Sequence, residues 1–138
     1  MLNADVFYQQ HAELIALAEE ITAACGDDRT IARDADPIRR SLSRLMGKLG
    51  VHLAIEDDYL YPRLKDHANA VVRNTAIRFE AEMSGLKPAF QAFKEKWTSD
   101  AIGRDPAAFR AELGVLFAAL GHRVERENSL LYPYLGEL

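Results

Sequence analysis

Four residues of this chain combine types and positions that could hold a metal ion. His52 and Glu56 stand four apart in the stretch Val51-His52-Leu53-Ala54-Ile55-Glu56-Asp57-Asp58-Tyr59-Leu60-Tyr61-Pro62. That spacing puts them on one helical face, the face on which Leu42, Leu45 and Leu49 recur. His11 fills a gap in the apolar rhythm of Phe7, Leu14, Ala18 and Ile21, and Glu127 does the same between Leu120, Val124 and Leu131. A polar or charged group in an apolar seam is costly unless something satisfies it. Imidazole nitrogen and carboxylate oxygen together suit divalent iron, manganese or zinc. Singly, each residue reads as a hydrogen-bonded or ion-paired core residue. At one height in one core, they read as a ligand set.

The elements that must bring them to one height are helices. Asn3 can cap a first helix that runs to about Cys25, with Gly26 just past its end. Asp36-Pro37 opens a second, with its seam at Ile38, Leu42, Leu45, Leu49, His52, Glu56 and Tyr59 and Pro62 near its end. A third is expected over roughly Asn69 to Lys96, with Phe79, Met83, Leu86, Phe90 and Phe93 on its apolar face. Pro88 inside it predicts a kink or an interruption. Asp105-Pro106 repeats the start signal for a fourth helix, carrying Phe109, Leu113, Leu116, Leu120, Val124, Glu127 and Leu131. Residues 26–35 and 98–104 have no periodicity and read as surface loops. No segment alternates as a strand does. The expected fold is therefore all-α, an antiparallel up-down-up-down four-helix bundle forming a single domain over residues 1–138.

In such a bundle His11 lies about as far from the end of the first helix as His52 lies from the start of the second. A weak internal repeat extends the layer. Glu56-Asp57-Asp58-Tyr59-Leu60-Tyr61-Pro62 matches Glu127-Asn128-Ser129-Leu130-Leu131-Tyr132-Pro133, which puts Glu56 and Glu127 at similar depth, facing each other. Tyr59, Tyr61, Tyr132 and Tyr134 are then expected to pack and hydrogen-bond at the bundle floor, and the Asp57-Asp58 pair to be solvated, with a hydrogen bond from a histidine to Asp57 as the alternative.

At these residues the chain resembles the hemerythrin-like (HHE cation-binding) family, four-helix bundles that hold a non-haem di-iron centre between their helices. The family's His-x3-Glu motif, followed by an acidic residue and Leu-Phe-Pro, is matched by His52, Glu56, Asp57, Leu60, Tyr61 and Pro62. Its first-helix histidine is matched by His11, and its fourth-helix bridging carboxylate by Glu127, again followed by Leu-Tyr-Pro. The resemblance implies iron, and binding or sensing of oxygen, nitric oxide or peroxide, or the handling of iron. Where the family places histidines on the third helix, this chain has Phe79 and Met83. Four residues before Glu127 stands Arg123; His122 is five before it, a spacing that some members use. On an ideal helix His122 points away from the seam, and a bulge near Gly121 would turn it inward.

The candidate metal ligands are thus His11, His52, Glu56, Glu127 and His122. Arg123 could bridge the two carboxylates where a second ion would sit. One iron, or a weakly held pair, suits sensing or redox chemistry better than reversible oxygen carriage. The alternative is a metal-free regulatory or protein-interaction module, with His11, His52, Glu56, Arg123 and Glu127 satisfying one another.

The remaining composition narrows the field. With a net charge of −4 and no basic face, no nucleic-acid partner is expected. The apolar runs are too short to span a bilayer, and Met1-Leu2-Asn3-Ala4-Asp5 is no signal peptide, so the cytoplasm is the expected location. Cys25 is the only cysteine, which excludes an internal disulfide and a thiolate cage. No nucleophile–base pair, phosphate loop or zinc-protease motif marks the chain as an enzyme. The expected partner is a small diatomic ligand or a redox signal.

Overall fold

The structure is a computed structural model that describes residues 4–137, the last two of these by backbone alone. Helix α1 spans Ala4–Ala24, α2 Asp28–Arg33, α3 Ala35–Ile55, α4 Tyr61–Lys65, α5 Ala70–Met83, α6 Leu86–Lys96, α7 Ser99–Arg104 and α8 Pro106–Arg126. A π-helical turn over Glu56–Leu60 joins α3 to α4, another covers Glu127–Leu131, and a 3-10 segment, Tyr132–Glu137, comes after it. There is no strand among the described residues, and none of their helices is long and apolar enough to cross a membrane. The cap expected at Asn3 lies outside the described residues.

The long elements run antiparallel. His52 meets Gln10 while Lys48 meets Glu13, so α3 descends along α1. Lys96 meets Glu112 while Arg123 meets Met83, so α8 runs against α5 and α6. The core falls into two apolar clusters. One holds Leu14, Ile21, Leu45, Leu53, Phe90, Phe109 and Leu120, and the other Phe7, Leu60, Leu64, Phe79, Met83 and Leu131. His11, His52, Glu56, Arg123 and Glu127 are the buried polar residues, and each lies along its helix between a residue of the first cluster and one of the second. The polar layer is the floor between two apolar rooms.

The two π turns have one local cause. Each is followed after one residue by a proline, Pro62 and Pro133. A proline in a regular α-helix lacks the N–H for its bond, and its ring clashes with the carbonyl four residues back. Here the preceding residues, Tyr61 and Tyr132, bond back five residues, to the carbonyls of Glu56 and Glu127. The turn holds one extra residue and rotates the chain beyond it by about 100°. Tyr61 and Tyr132 are thereby buried, and Tyr59, expected on the seam, is 59% exposed.

Three further expectations are corrected. The third helix is interrupted, not at Pro88 itself but just before it at Ser84-Gly85, and Pro88 sits in the first turn of α6, where its missing N–H has no intrahelical partner to lose. The segments read as loops at 26–35 and 98–104 contain α2 and α7, each capped by a side chain (Asp27 on the Thr30 N–H, Thr98 on the Ala101 N–H). Each buries a single isoleucine, Ile31 or Ile102, and six residues are too few to show a period.

Gly47 is exposed in the middle of α3, and a methyl group added there would meet nothing within 4 Å. Gly47→Ala should therefore raise the unfolding free energy by about 0.5–1 kcal/mol. Urea titration followed by helical circular dichroism measures it. No gain would mean that the backbone at this position departs from a helix.

Candidate metal centre

The side chains from α1, α3 and the two π turns meet in the polar layer. His11, His52, Glu56 and Glu127 each offer one donor atom, and these four atoms lie within 4.8 Å of one another. All four residues are at most 3% exposed. Each position comes from its helix. His52 and Glu56 are one turn apart on α3 and its extension, and their Nε2 and Oε1 lie 2.9 Å apart. His11 reaches across from α1, its Nε2 3.3 Å from Glu127 Oε1.

Two amides orient the imidazoles. His11 Nδ1–H donates to Asn128 Oδ1 (2.7 Å), and His52 Nδ1–H donates to Gln10 Oε1 (2.6 Å). An amide oxygen only accepts, so each Nδ1 carries the proton and each Nε2 turns towards the carboxylates. This is how a protein presents a metal-ligating histidine. Asp57 is exposed, as expected of the Asp57-Asp58 pair, and does not take this role. Gln10 and Asn128 had one visible signal: each is the sequence neighbour of a core polar residue, His11 or Glu127.

Two tyrosines complete the layer in a crossed pattern. Tyr61, just beyond the first π turn, donates to Glu127 Oε2 at 2.7 Å, and Tyr132, just beyond the second, approaches Glu56 Oε2 at 3.0 Å. The Glu-x4-Tyr-Pro repeat therefore builds a pseudo-twofold arrangement, each half supplying a carboxylate to itself and a hydroxyl to the other. The repeat carried this signal, but an α-helical reading pointed the tyrosines elsewhere.

Arg123 lies above the carboxylates. Its Nε is 3.4 Å from Glu127 Oε2, its Nη2 is 3.5 Å from Glu56 Oε1, and its Nη1 donates to the Met83 carbonyl at 3.3 Å. The break after α5 leaves that carbonyl at a helix end, where it has no partner further along the helix. His122, a candidate ligand from the sequence, does not join the group. Helix α8 runs unbroken through Gly121, so no bulge turns His122 inward, and it is exposed on the groove between α6 and α8. Phe79 and Met83 are buried beside the layer without contributing a nitrogen donor.

The electrostatics separate the two glutamates. Burial, the negative charge of Glu127 and a hydrogen bond with it push the Glu56 carboxyl well above the usual carboxylate range. Burial also opposes the charge on Glu127, but its polar neighbours (His11, Glu56, the Arg123 charge and the Tyr61 hydroxyl) outweigh it and hold its pKa at about 2. Burial, reinforced by His11, lowers His52 to about 4. At neutral pH His52 is thus uncharged, and burial favours a proton on Glu56, whose Oε1 lies 2.9 Å from His52 Nε2. A metal ion can take that proton's place.

The donor set fits a cation on a second count. Glu127 Oε1 is buried without a hydrogen-bond partner, and the inward Nε2 of His11 lies beside it. The two atoms face each other across 3.3 Å, a contact that a proton or a cation between them makes favourable. Donors on opposite sides of one ion stand about 4.3 Å apart at ordinary bond lengths, so a spread of 4.8 Å needs only small shifts to close on a single ion.

Comparison with known proteins agrees with this geometry. A family model described as Hemerythrin HHE cation binding domain matches residues 2–135. No match was found among curated proteins or among solved structures. With nearly its whole length matched, its helices in a bundle and a buried His/Glu cluster in the core, the chain belongs to the hemerythrin HHE cation-binding domain family.

Proposed function

We propose that the domain binds one non-haem iron ion through His11, His52, Glu56 and Glu127 and uses it to sense oxygen, nitric oxide or a redox signal, or to handle iron. The observation that carries this reading is the orphaned Glu127 Oε1 within a buried cluster of four donors whose atoms lie within 4.8 Å of one another. Iron is typical of the family, and mixed nitrogen and carboxylate donors suit it. When bound, the ion supplies Lewis acidity and redox chemistry. The chain's own residues hold and orient it: Gln10 and Asn128 fix the two imidazoles, and Glu56 gives up its proton to become a charged ligand.

Arg123 supports one ion rather than two. Its guanidinium already lies against both carboxylates, so a second divalent cation would meet a fixed positive charge. One divalent ion with two carboxylates and Arg123 leaves a net charge of +1, which favours a small anion as a further ligand. The space enclosed by the cluster admits no water-sized sphere. A groove of about 380 Å³ between α6 and α8 reaches Leu86 and Arg123, which also wall the centre. These two side chains stand between that groove and the centre.

A second reading rests on the same arginine. With Glu56 protonated and Glu127 paired to Arg123, the layer is charge-balanced without metal, as a helical regulatory or interaction module would need. Metal analysis of untagged protein separates the readings. The first expects about one iron per chain, lost in His52→Ala and Glu127→Ala, and a charge-transfer band after iron(II) and air. No bound iron and no band would leave the second.

Arg123→Met checks the role of the guanidinium. Without metal it should cost about 3–5 kcal/mol, because a buried carboxylate loses its counter-charge. Saturating zinc(II) should recover much of this, and the variant should bind zinc more tightly than the parent. Equal losses with and without zinc in thermal melts would show that arginine and ion do not share the carboxylates.

A further inference from the structure

The Tyr132 hydroxyl occupies a singular position. Its oxygen lies 2.8 Å from His11 Nε2, 3.0 Å from Glu56 Oε2 and 3.5 Å from His52 Nε2. It therefore touches three of the four residues of the cluster, each at an atom that carries or exposes a lone pair. The phenol has one proton and can satisfy one acceptor. The lone pairs of the oxygen itself stay turned into the cluster, in a site 0% exposed at the tyrosine. Tyr61 differs: its hydroxyl donates to Glu127 Oε2 alone and has its one acceptor.

Adjacent donors around one ion, with bonds of about 2.1 Å, stand roughly 3.0–3.4 Å apart. The Tyr132 contacts fall in or near this range, as do His52 Nε2 to Glu56 Oε1 at 2.9 Å and His11 Nε2 to Glu127 Oε1 at 3.3 Å. The phenolic oxygen is thus one corner of the same polyhedron. The ring is held there by stacking on His11, with centroids 4.8 Å apart and planes at 26°, and by the Phe7 and Tyr8 rings.

We infer that Tyr132 is a fifth ligand, its phenolic oxygen joining His11, His52, Glu56 and Glu127 around a single bound ion. This rests on the metal-binding reading above. On ligation the O–H bond breaks, an oxygen–metal bond forms, the proton passes to solvent, and no electron is exchanged. The anionic oxygen supplies the negative charge that one divalent ion beside Arg123 leaves unbalanced. It also gives the protein a harder, more anionic donor set than two imidazoles and two carboxylates, suited to iron(III).

The test uses the full chain, loaded with iron(II) and oxidised in air. A phenolate bound to iron(III) gives a visible charge-transfer band, and resonance Raman excitation within that band enhances tyrosine ring modes. The parent protein should show both. Tyr132→Phe should lose them while retaining iron, with affinity weakened at least the roughly tenfold that loss of an outer hydrogen-bond partner costs. Tyr61→Phe, which removes an equally buried hydroxyl, should keep them. Iron bound by the parent without tyrosine ring modes would overturn the assignment of Tyr132 and leave the metal-binding reading standing. No iron bound by the parent would overturn both. The parent spectrum decides even if the Tyr132 variant does not fold.

Discussion

Two carboxylates buried in an apolar core are the constraint on which this structure turns. Each would cost several kcal/mol if left charged and unpartnered. The chain meets this by making them unlike: Glu127 is ionised and surrounded by donors, while Glu56 keeps its proton. Arg123 stands between them, and its own position depends on a carbonyl at the broken end of α5. The break in the third helix, the burial of an arginine and the asymmetry of two equivalent glutamates are therefore one arrangement.

The pseudo-twofold repeat is the means of assembly. A proline six residues beyond each glutamate imposes the same widened turn twice, and each widened turn delivers a tyrosine to the opposite carboxylate. The two apolar clusters then close over the layer from either side. The layer persists in the core of so small a protein because its members satisfy one another. Among the described side chains, every buried polar atom but the inward Glu127 oxygen and one nitrogen of Arg126 has a hydrogen-bond partner.

Much of this was legible in the sequence. The 3-and-4 rhythm placed His11, His52, Glu56 and Glu127 on buried faces, and the bundle brings them together. Arg123 was visible as the basic residue one turn before Glu127, and it pairs with both carboxylates as its chemistry suggested. What was not legible depends on departures from the ideal helix. The period assigned Tyr59 inward and left Tyr61 and Tyr132 at the floor, because no propensity scale records a π turn. His122 offered the right chemistry at the wrong angle, and α8 stayed regular. The residue that holds His52, Gln10, comes from another helix. Its one mark in the sequence is that it stands beside His11, which says nothing of His52. The helices α2 and α7 were hidden by their brevity.

The hydrogen bond from His11 to Asn128 joins residues 117 apart. Residues so distant meet rarely in an unfolded chain, and the entropy of closing such a loop must be overcome before their contact contributes. An ion held by His11 and Glu127 would act as a reversible clasp on that loop, tying the first helix to the last. The polar layer would then form late in folding, when α1 docks. Occupancy of the centre would report whether the bundle is closed, and so couple a chemical signal to the release or retention of one helix.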